Sequence, residues 1–410
     1  MPDSESSLPV VLVLTSSYPR YNGDTSSIFL HYLNRQIKQQ GYEIHVIAPD
    51  DILVDMSEHD GIFIHHFRYF TRSGQRVAYG SGIVHNLRER PFYWIQVPLF
   101  AISMALTFVW LAIKLKPSVV HSHWLIPMGF IAGLFKPLFS YRNIVTSHGS
   151  DVYTLKGFLP TWMKTFTLRR ADVWTTNSRS SASFATSKNV RAAAKIIPMG
   201  VDVKLFSSGD RKRARADRLT KDSFVVLFVG RLVRQKGVQD LICALALLPA
   251  DIRANCSLWI VGDGTYRESL EKQSEASGIS NITSFWGNVP HEELPDFYAA
   301  ADLFVGPSIQ DSKGDVESQG VVYLEAFASG TPVIATTVGG ISDTIEDNIS
   351  GLLVEPENPA SLSNAIARLF SDPLLQSRLA EQGRNVAREK YDWSTIGTEF
   401  ANLYETNQGQ

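Results

Sequence analysis

The chain has 410 residues, 44% of them hydrophobic and 20% charged, and a formal net charge of −2. That length gives room for two domains of ordinary size, and the composition excludes a disordered or fibrous chain. Cys243 and Cys256, the only cysteines, supply neither a disulfide framework nor a zinc site and fit a reducing compartment. The opening Met1-Pro2-Asp3-Ser4-Glu5 is acidic and lacks a basic n-region, so no secretory signal is expected and a cytoplasmic location is. The near-neutral total hides an asymmetry: residues 1–200 carry 20 Lys/Arg against 12 Asp/Glu, and residues 201–410 carry 19 against 29. A basic first half fits an acidic acceptor or an anionic membrane surface, and equally a scattered, solvated surface. No nucleic-acid partner is expected.

Short apolar runs alternate with helix-length segments from end to end, the pattern of doubly wound parallel sheets. The first half predicts strands at residues 9–17, 42–48, 62–67, 118–123, 143–147, 173–177 and 195–198. Residues 15–29 join the first strand to the first helix and carry Gly23 and Asp24. Residues 97–113 are uncharged and mostly apolar, preceded by Phe92, Tyr93 and Trp94 and followed by Lys114 and Lys116. That length is marginal for a membrane span, Pro98 and Ser103 interrupt it, and a strand-like run follows at once. A buried helix is the first reading, and contact with a membrane surface the second.

His121 and His123 would point to the same side of a strand. Without an acidic or cysteine neighbour they read as cleft-lining or core residues, not as a metal pair. His148 ends the strand at 143–147 and precedes Gly149, where parallel sheets bind ligands. Residues 206–222 are charged, have no apolar period and read as a linker or an exposed helix.

The alternation restarts with strands at 224–229, 256–261, 282–286, 303–306, 332–335 and 351–354. Gly230-Arg231 ends the first of these, and Lys236-Gly237 opens the next helix, placing two cations where a pyrophosphate could be clamped. Val261-Gly262-Asp263-Gly264 and Trp286-Gly287-Asn288-Val289 end the two strands that follow, and in the second a core aromatic is an equal reading for Trp286. Residues 315–335 say most. Glu317 and Glu325 bracket a Gly320-Val321-Val322 step that opens a helix, Gly330 caps its end, and a Pro332-Val333-Ile334-Ala335 strand follows. Unpaired N–H groups at Gly320 and Val321 would suit a phosphate. Eight helical residues span ~12 Å, roughly a diphosphate joining two sugar rings.

The Glu317-to-Glu325 segment resembles the glutamate-x7-glutamate signature of retaining glycosyltransferase family 4. This resemblance implies the GT-B fold: two Rossmann-like α/β domains facing a central cleft, over residues 1–200 and 201–390, with a C-terminal helix in 391–410 crossing back to the first. It implies that Glu317 holds donor-sugar hydroxyls, Glu325 the ribose, and that Arg231 and Lys236 neutralise the diphosphate. Gly262 would lie near the nucleotide and Val289 would hold the base. Gly23 would approach the donor phosphate, and His148, in His-Gly-x-Asp, would reach the donor sugar. The family usually has an aromatic where this chain has Gln319, and often two glycines where this chain has Gly23 alone.

The activity implied is transfer of a sugar from a nucleotide diphosphate to a glycan hydroxyl, with a lipid-linked carrier and an anionic membrane surface as the expected surroundings. No Asp-x-Asp motif stands at a strand end, and Arg231 and Lys236 can replace a cation, so no metal or other cofactor is expected. The basic-aromatic groups Arg68, Tyr69, Phe70, Arg72, Arg76, Arg88, Arg90 and residues 158–170 are expected to face the acceptor side. A non-catalytic glycan-binding relative and a nucleotide-sugar epimerase are the alternatives.

Overall fold

The computed structural model describes residues 8–80, 82–153, 155, 157–179, 181–183, 194–218, 223–310, 317 and 319–405. The chain divides into two units, Met1–Pro198 with Ser394–Gln410, and Met199–Trp393. The breaks lie at 198/199 and 393/394, against the expected 200/201 and 390/391.

The first unit contains β1 (Val10–Leu14), β2 (Glu43–Pro49), β3 (Glu58–His59), β4 (Ile62–Phe67), β5 (Val119–His123), β6 (Arg142–Ser147), β7 (Val173–Thr176) and β8 (Lys195–Ile196). They form one sheet in the order β3-β4-β2-β1-β5-β6-β7-β8. All pairs are parallel except β3 with β4, and the short β3 was not anticipated. The Val-Val-Leu-Val-Leu run of β1 has no polar position because helices cover both faces of a parallel sheet.

Right-handed crossovers fix which face each helix covers. The helices Gln96–Leu115 (β4 to β5), Phe130–Phe135 (β5 to β6) and Phe158–Arg170 (β6 to β7) fall on one face. Ile28–Gln39 (β1 to β2) falls on the other. Phe100, Met104, Phe108 and Leu111 of the long helix pack with Leu12, Leu14, Ile47 and Val120, each burial contributing about 1.5–3 kcal/mol. The last helix, Trp393–Tyr404, belongs to this unit from Ser394 onward. Its Gly397 lies so close to Gln36 that an added Cβ would come within 2.3 Å of the glutamine Cβ. Its Tyr404 hydroxyl lies 2.6 Å from His121 Nδ1.

The second unit contains β9 (Phe224–Val229), β10 (Cys256–Val261), β11 (Thr283–Gly287), β12 (Leu303–Gly306), β13 (Val333–Thr336) and β14 (Leu352–Val354). They pair in parallel in the order β11-β10-β9-β12-β13-β14. Alternate residues of β9 face two cores, Val225 and Leu227 one, Val226 and Phe228 the other. Every strand expected from the sequence is present, with ends shifted by a few residues.

Residues 211–218, read as linker or exposed helix, form a helix on the unit's surface with only Ala214 buried. Charge holds it in place: Arg211 and Arg215 pair with Asp302, and Arg213 with Asp296. In both sheets the order reverses at a switch point, β1/β5 and β9/β12, where doubly wound sheets bind ligands.

Candidate functional site

In the second unit the candidate residues gather at the carboxyl ends of β9 to β12. Gly237 has φ 69°, and a Cβ there would lie 1.7 Å from the Pro307 carbonyl oxygen. Only glycine therefore lets the loop after β9 lie against the loop after β12, where the Ile309 N–H donates to the Gln235 carbonyl at 2.9 Å. This close approach brings Lys236 Nζ onto Glu317 Oε2 as an ion pair, with side chains 19% and 18% exposed. Arg231 is exposed one residue beyond Gly230 and has no ion pair among the described residues.

The expected helix runs Val321–Ser329. Gly320, at φ 73°, precedes it, and the Tyr323 ring fills the space a Cβ would need, 2.4 Å away. Tyr323 donates to the Gly306 carbonyl at 3.0 Å, so β12 and the helix entry are locked together. At the far end the Gly330 N–H donates to Phe327 O and the Thr331 N–H to Ala326 O, both at 2.9 Å, closing the helix as the sequence predicts.

Glu325 is almost fully buried and accepts from the Tyr298 hydroxyl at 2.7 Å. Burial raises its carboxyl above the usual range, opposed by His291 and by the Tyr298 hydrogen bond. Gln319, where the resemblance leads one to expect an aromatic, is buried and clamps the Met199 backbone from both sides. It accepts from the Met199 N–H at 2.7 Å and donates to the Met199 carbonyl at 2.9 Å.

The other two strand ends are tied by backbone contacts. The Gly262 N–H donates to Gly287 O at 2.7 Å, and a Cβ at 262 would lie 2.0 Å from Gly230 O. Val289 is partly buried against the core. Trp286 packs edge-on against Trp259 and Phe297 at 5.4 and 5.2 Å, so the core-aromatic reading describes its contacts.

His148 and Gly23 lie in the first unit. His148 follows β6, and its N–H donates to Asp151 Oδ1 at 3.0 Å, while the Leu125 N–H donates to Asp151 Oδ2 at 2.8 Å. Asp151 thus turns the His-Gly-x-Asp spacing into a fixed loop. Burial raises its carboxyl, and these two N–H groups oppose the shift.

His148 Nε2 lies 3.0 Å from His123 Nδ1. Burial pushes His148 down to about 3 and His123 well below the ordinary value, so both rings are neutral near pH 7 and share one proton. His123 is fully buried and its Nε2 has no hydrogen-bond partner among the described residues. A bare nitrogen there costs less than an orphaned N–H. The hydrogen-bond network therefore assigns the shared proton to His123 Nδ1 and leaves His148 with its proton on Nδ1, as a donor. His121 is also core, held by Thr146 Oγ1 at 2.7 Å as well as by Tyr404.

Gly23 is exposed on a loop organised by its neighbour Asp24. Asp24 accepts from the Arg20 N–H at 3.0 Å, the Ser26 N–H at 3.1 Å and Arg20 Nε at 2.7 Å, and Arg20 lies over the Tyr79 ring. Elsewhere in this unit His31, His59 and Asp60 bring ligating atoms within 4.8 Å of one another. Arg35 Nε shares the Asp60 oxygen that His31 contacts, so the group is a hydrogen-bonded ion network.

In the basic-aromatic stretch at 68–76, Arg68, Phe70, Arg72 and Arg76 are exposed as expected, and Tyr69 is not. Tyr69 is buried beneath the Val77 N–H, and Arg68 pairs with Asp50 at 2.9 Å. The turn folds back onto β2, a contact that local composition does not encode. Trp162, in contrast, stays half-exposed, stacked on Phe166.

Two families match the chain: Glycosyl transferases group 1 over residues 210–386, and Glycosyltransferase Family 4 over residues 26–205. The GDP-mannose-dependent alpha-(1-6)-phosphatidylinositol monomannoside mannosyltransferase of Mycolicibacterium smegmatis is 33% identical over 68% of this chain and 73% of that protein. Among solved structures, sucrose-phosphate synthase from Thermosynechococcus elongatus superposes with a TM-score of 0.77 at 23% identity, covering 97% of this chain and 98% of that one. Anabaena HepE in complex with UDP gives 0.75 at 21%, covering 97% and 99%. These two likenesses speak to the fold.

Proposed function

Because the chain belongs to glycosyltransferase family 4 and has its GT-B fold, we propose that it moves a sugar from a nucleotide diphosphate to an acceptor hydroxyl with retention of configuration. The observation that carries this reading is the Lys236–Glu317 pair at the β9/β12 switch point, directly before the glycine-led helix Val321–Ser329. In this reading Lys236 and Arg231 face the leaving diphosphate, and the N–H groups at Gly320 and Val321 hold one phosphate. Glu317 holds hydroxyls of the donor sugar, Glu325 the ribose, Gly262 and Val289 flank the nucleotide, and Gly23 approaches the phosphate from its loop. His148 donates from Nδ1 to a sugar hydroxyl.

The acceptor oxygen bonds to the anomeric carbon on the face that the phosphate leaves. The carbon–phosphate-oxygen bond breaks, and the acceptor's proton passes to that phosphate. No protein nucleophile is needed, and the chain contributes positioning and charge stabilisation. Two side-chain cations meet the diphosphate charge without a metal. The acceptor is a lipid-linked glycan presented at the inner face of a membrane, a reading supported by the phosphatidylinositol-directed name of the Mycolicibacterium relative.

The test is thermal stabilisation and donor hydrolysis across UDP-, GDP- and ADP-sugars, with GDP-mannose first because that relative is named for it. Stabilisation by one donor together with its hydrolysis supports the reading. Stabilisation by none would reduce the chain to a glycan-binding relative, and release of a C2-inverted sugar would make it an epimerase.

A further inference from the structure

The helix Gln96–Leu115 turns one apolar side to the sheet and leaves a second apolar side uncovered. Ile95, Leu99, Ile102, Leu106, Trp110 and Ile113 recur at three- and four-residue steps and are all exposed, Leu106 by 68%. They form one stripe along a helix of ~30 Å. A helix side facing water is normally polar, yet residues 91–113 hold no charge at all. Pro91–Leu115 is long and apolar enough to cross a membrane, but Phe100, Met104, Phe108 and Leu111 tie it to the sheet. It can therefore lie along a bilayer and cannot pass through one.

The stripe has company on the same face of the sheet. Leu138, just past the helix Phe130–Phe135, and Phe158, Leu159 and Trp162 on the next helix are also exposed, Phe158 by 88%. Exposed cations stand at both ends of the long helix, Arg88 and Arg90 before it and Lys114 and Lys116 after it, with Glu89 the one acid among them. Lys114 lies over the Trp110 ring at 5.1 Å.

We propose that this face rests on an anionic phospholipid bilayer, with the helix in the headgroup plane, its apolar stripe in the acyl boundary and its terminal cations on lipid phosphates. Charge decides between this occupant and a second copy of the chain. Two copies paired across the stripe, parallel or antiparallel, would set cations against cations at both ends with only Glu89 to offset them. An anionic surface satisfies both ends at once. The proposal extends the lipid-linked acceptor reading by naming the surface that would meet the lipid.

The test is co-sedimentation of the full chain with phosphatidylcholine vesicles, with and without phosphatidylglycerol, at low and high salt. The wild type pellets with the anionic vesicles at low salt and less at high salt. Leu106→Glu, at an exposed position, cuts the bound fraction about tenfold or more. Arg90→Glu with Lys116→Glu reduces binding to the anionic vesicles to the phosphatidylcholine level.

Unchanged melting temperatures show that the variants fold. Failure of the wild type to pellet at low salt overturns the proposal, as does a dimer that Leu106→Glu makes monomeric without any vesicle binding. Donor hydrolysis, which needs no lipid, reads the enzyme independently. Hydrolysis without vesicle binding removes the membrane face alone, and vesicle binding without hydrolysis removes the transferase reading alone.

Discussion

Lys236 and Glu317 are each expected to serve the donor, yet they pair with each other, which makes their effects on turnover interdependent. At an effective dielectric near 20 two unit charges about 4 Å apart attract by ~4 kcal/mol before desolvation and side-chain ordering are subtracted. Coupling energies for residues in contact are typically about 0.5–3 kcal/mol, and the low exposure of this pair puts it in the upper part of that range. Lys236→Ala removes a cation from the diphosphate, worth about a hundredfold in turnover, and also strands Glu317 as an uncompensated acid beside the phosphates. Glu317→Ala removes a ligand of the sugar but frees Lys236. The double variant has no stranded charge, so its loss should fall short of the product of the single losses by about thirtyfold or more, the equivalent of about 2 kcal/mol and upward. The assay is kcat/KM for donor hydrolysis and for transfer in all four proteins. Losses that multiply to within about twofold would show that the pair is not coupled during turnover. Near-normal turnover in Lys236→Ala would remove the clamp itself.

Arg231→Ala should cut turnover by about a hundredfold and leave the melting temperature unchanged, because Arg231 is exposed without an ion pair among the described residues; normal turnover would refute its role. EDTA should leave activity largely intact, and a loss restored by magnesium or manganese would reveal a metal requirement. Tyr298→Phe removes a hydrogen bond to a buried carboxylate, worth about 1.5–3 kcal/mol. It also moves Glu325 further up, so kcat/KM should fall most at low pH, and an unmoved acid limb would separate Glu325 from donor binding. His121 should make the first unit acid-labile. Its folded value is pushed down to about 3, so the unfolded chain alone takes up this proton as pH falls below the ordinary 6.5. The stability it contributes is complete above that value and declines through the window down to 3, by roughly 3 kcal/mol at pH 4.5. Urea unfolding at pH 7.5 and 4.5 should show a smaller acid loss in His121→Gln, and equal losses would refute this.

The strands and the Gly320–Gly330 helix were legible in the sequence because each rests on a local rule. Buried parallel strands are continuously apolar, and glycine marks the two positions beside that helix where a side chain has no room. What the sequence concealed depends on partners distant along the chain. Nothing local to Gln319 indicates that its amide would clamp Met199, 120 residues earlier. The contact between His123 and His148 has no local signal, because it exists only once β5 and β6 pair. The turn role of Asp24 does have a local signal, an Asp two residues before Ser26.

The departure at Gln319 and the apolar helix show two limits of local reading. At 319 the chain replaces an expected aromatic with an amide whose two polar atoms are both spent on Met199. That fixes the residue between Glu317 and Gly320 to the first residue of its unit, so the backbone presenting Glu317 is held by a hydrogen-bonded clamp where an aromatic would hold it by packing. In the helix Gln96–Leu115, composition is nearly uniform around the axis, so no periodicity could separate its two sides. Only the β4-to-β5 crossover, which sets which side meets the sheet, distinguishes the stripe that stabilises the fold from the stripe left over. A residue's identity fixed its chemistry in both cases, and the topology decided what that chemistry was used for.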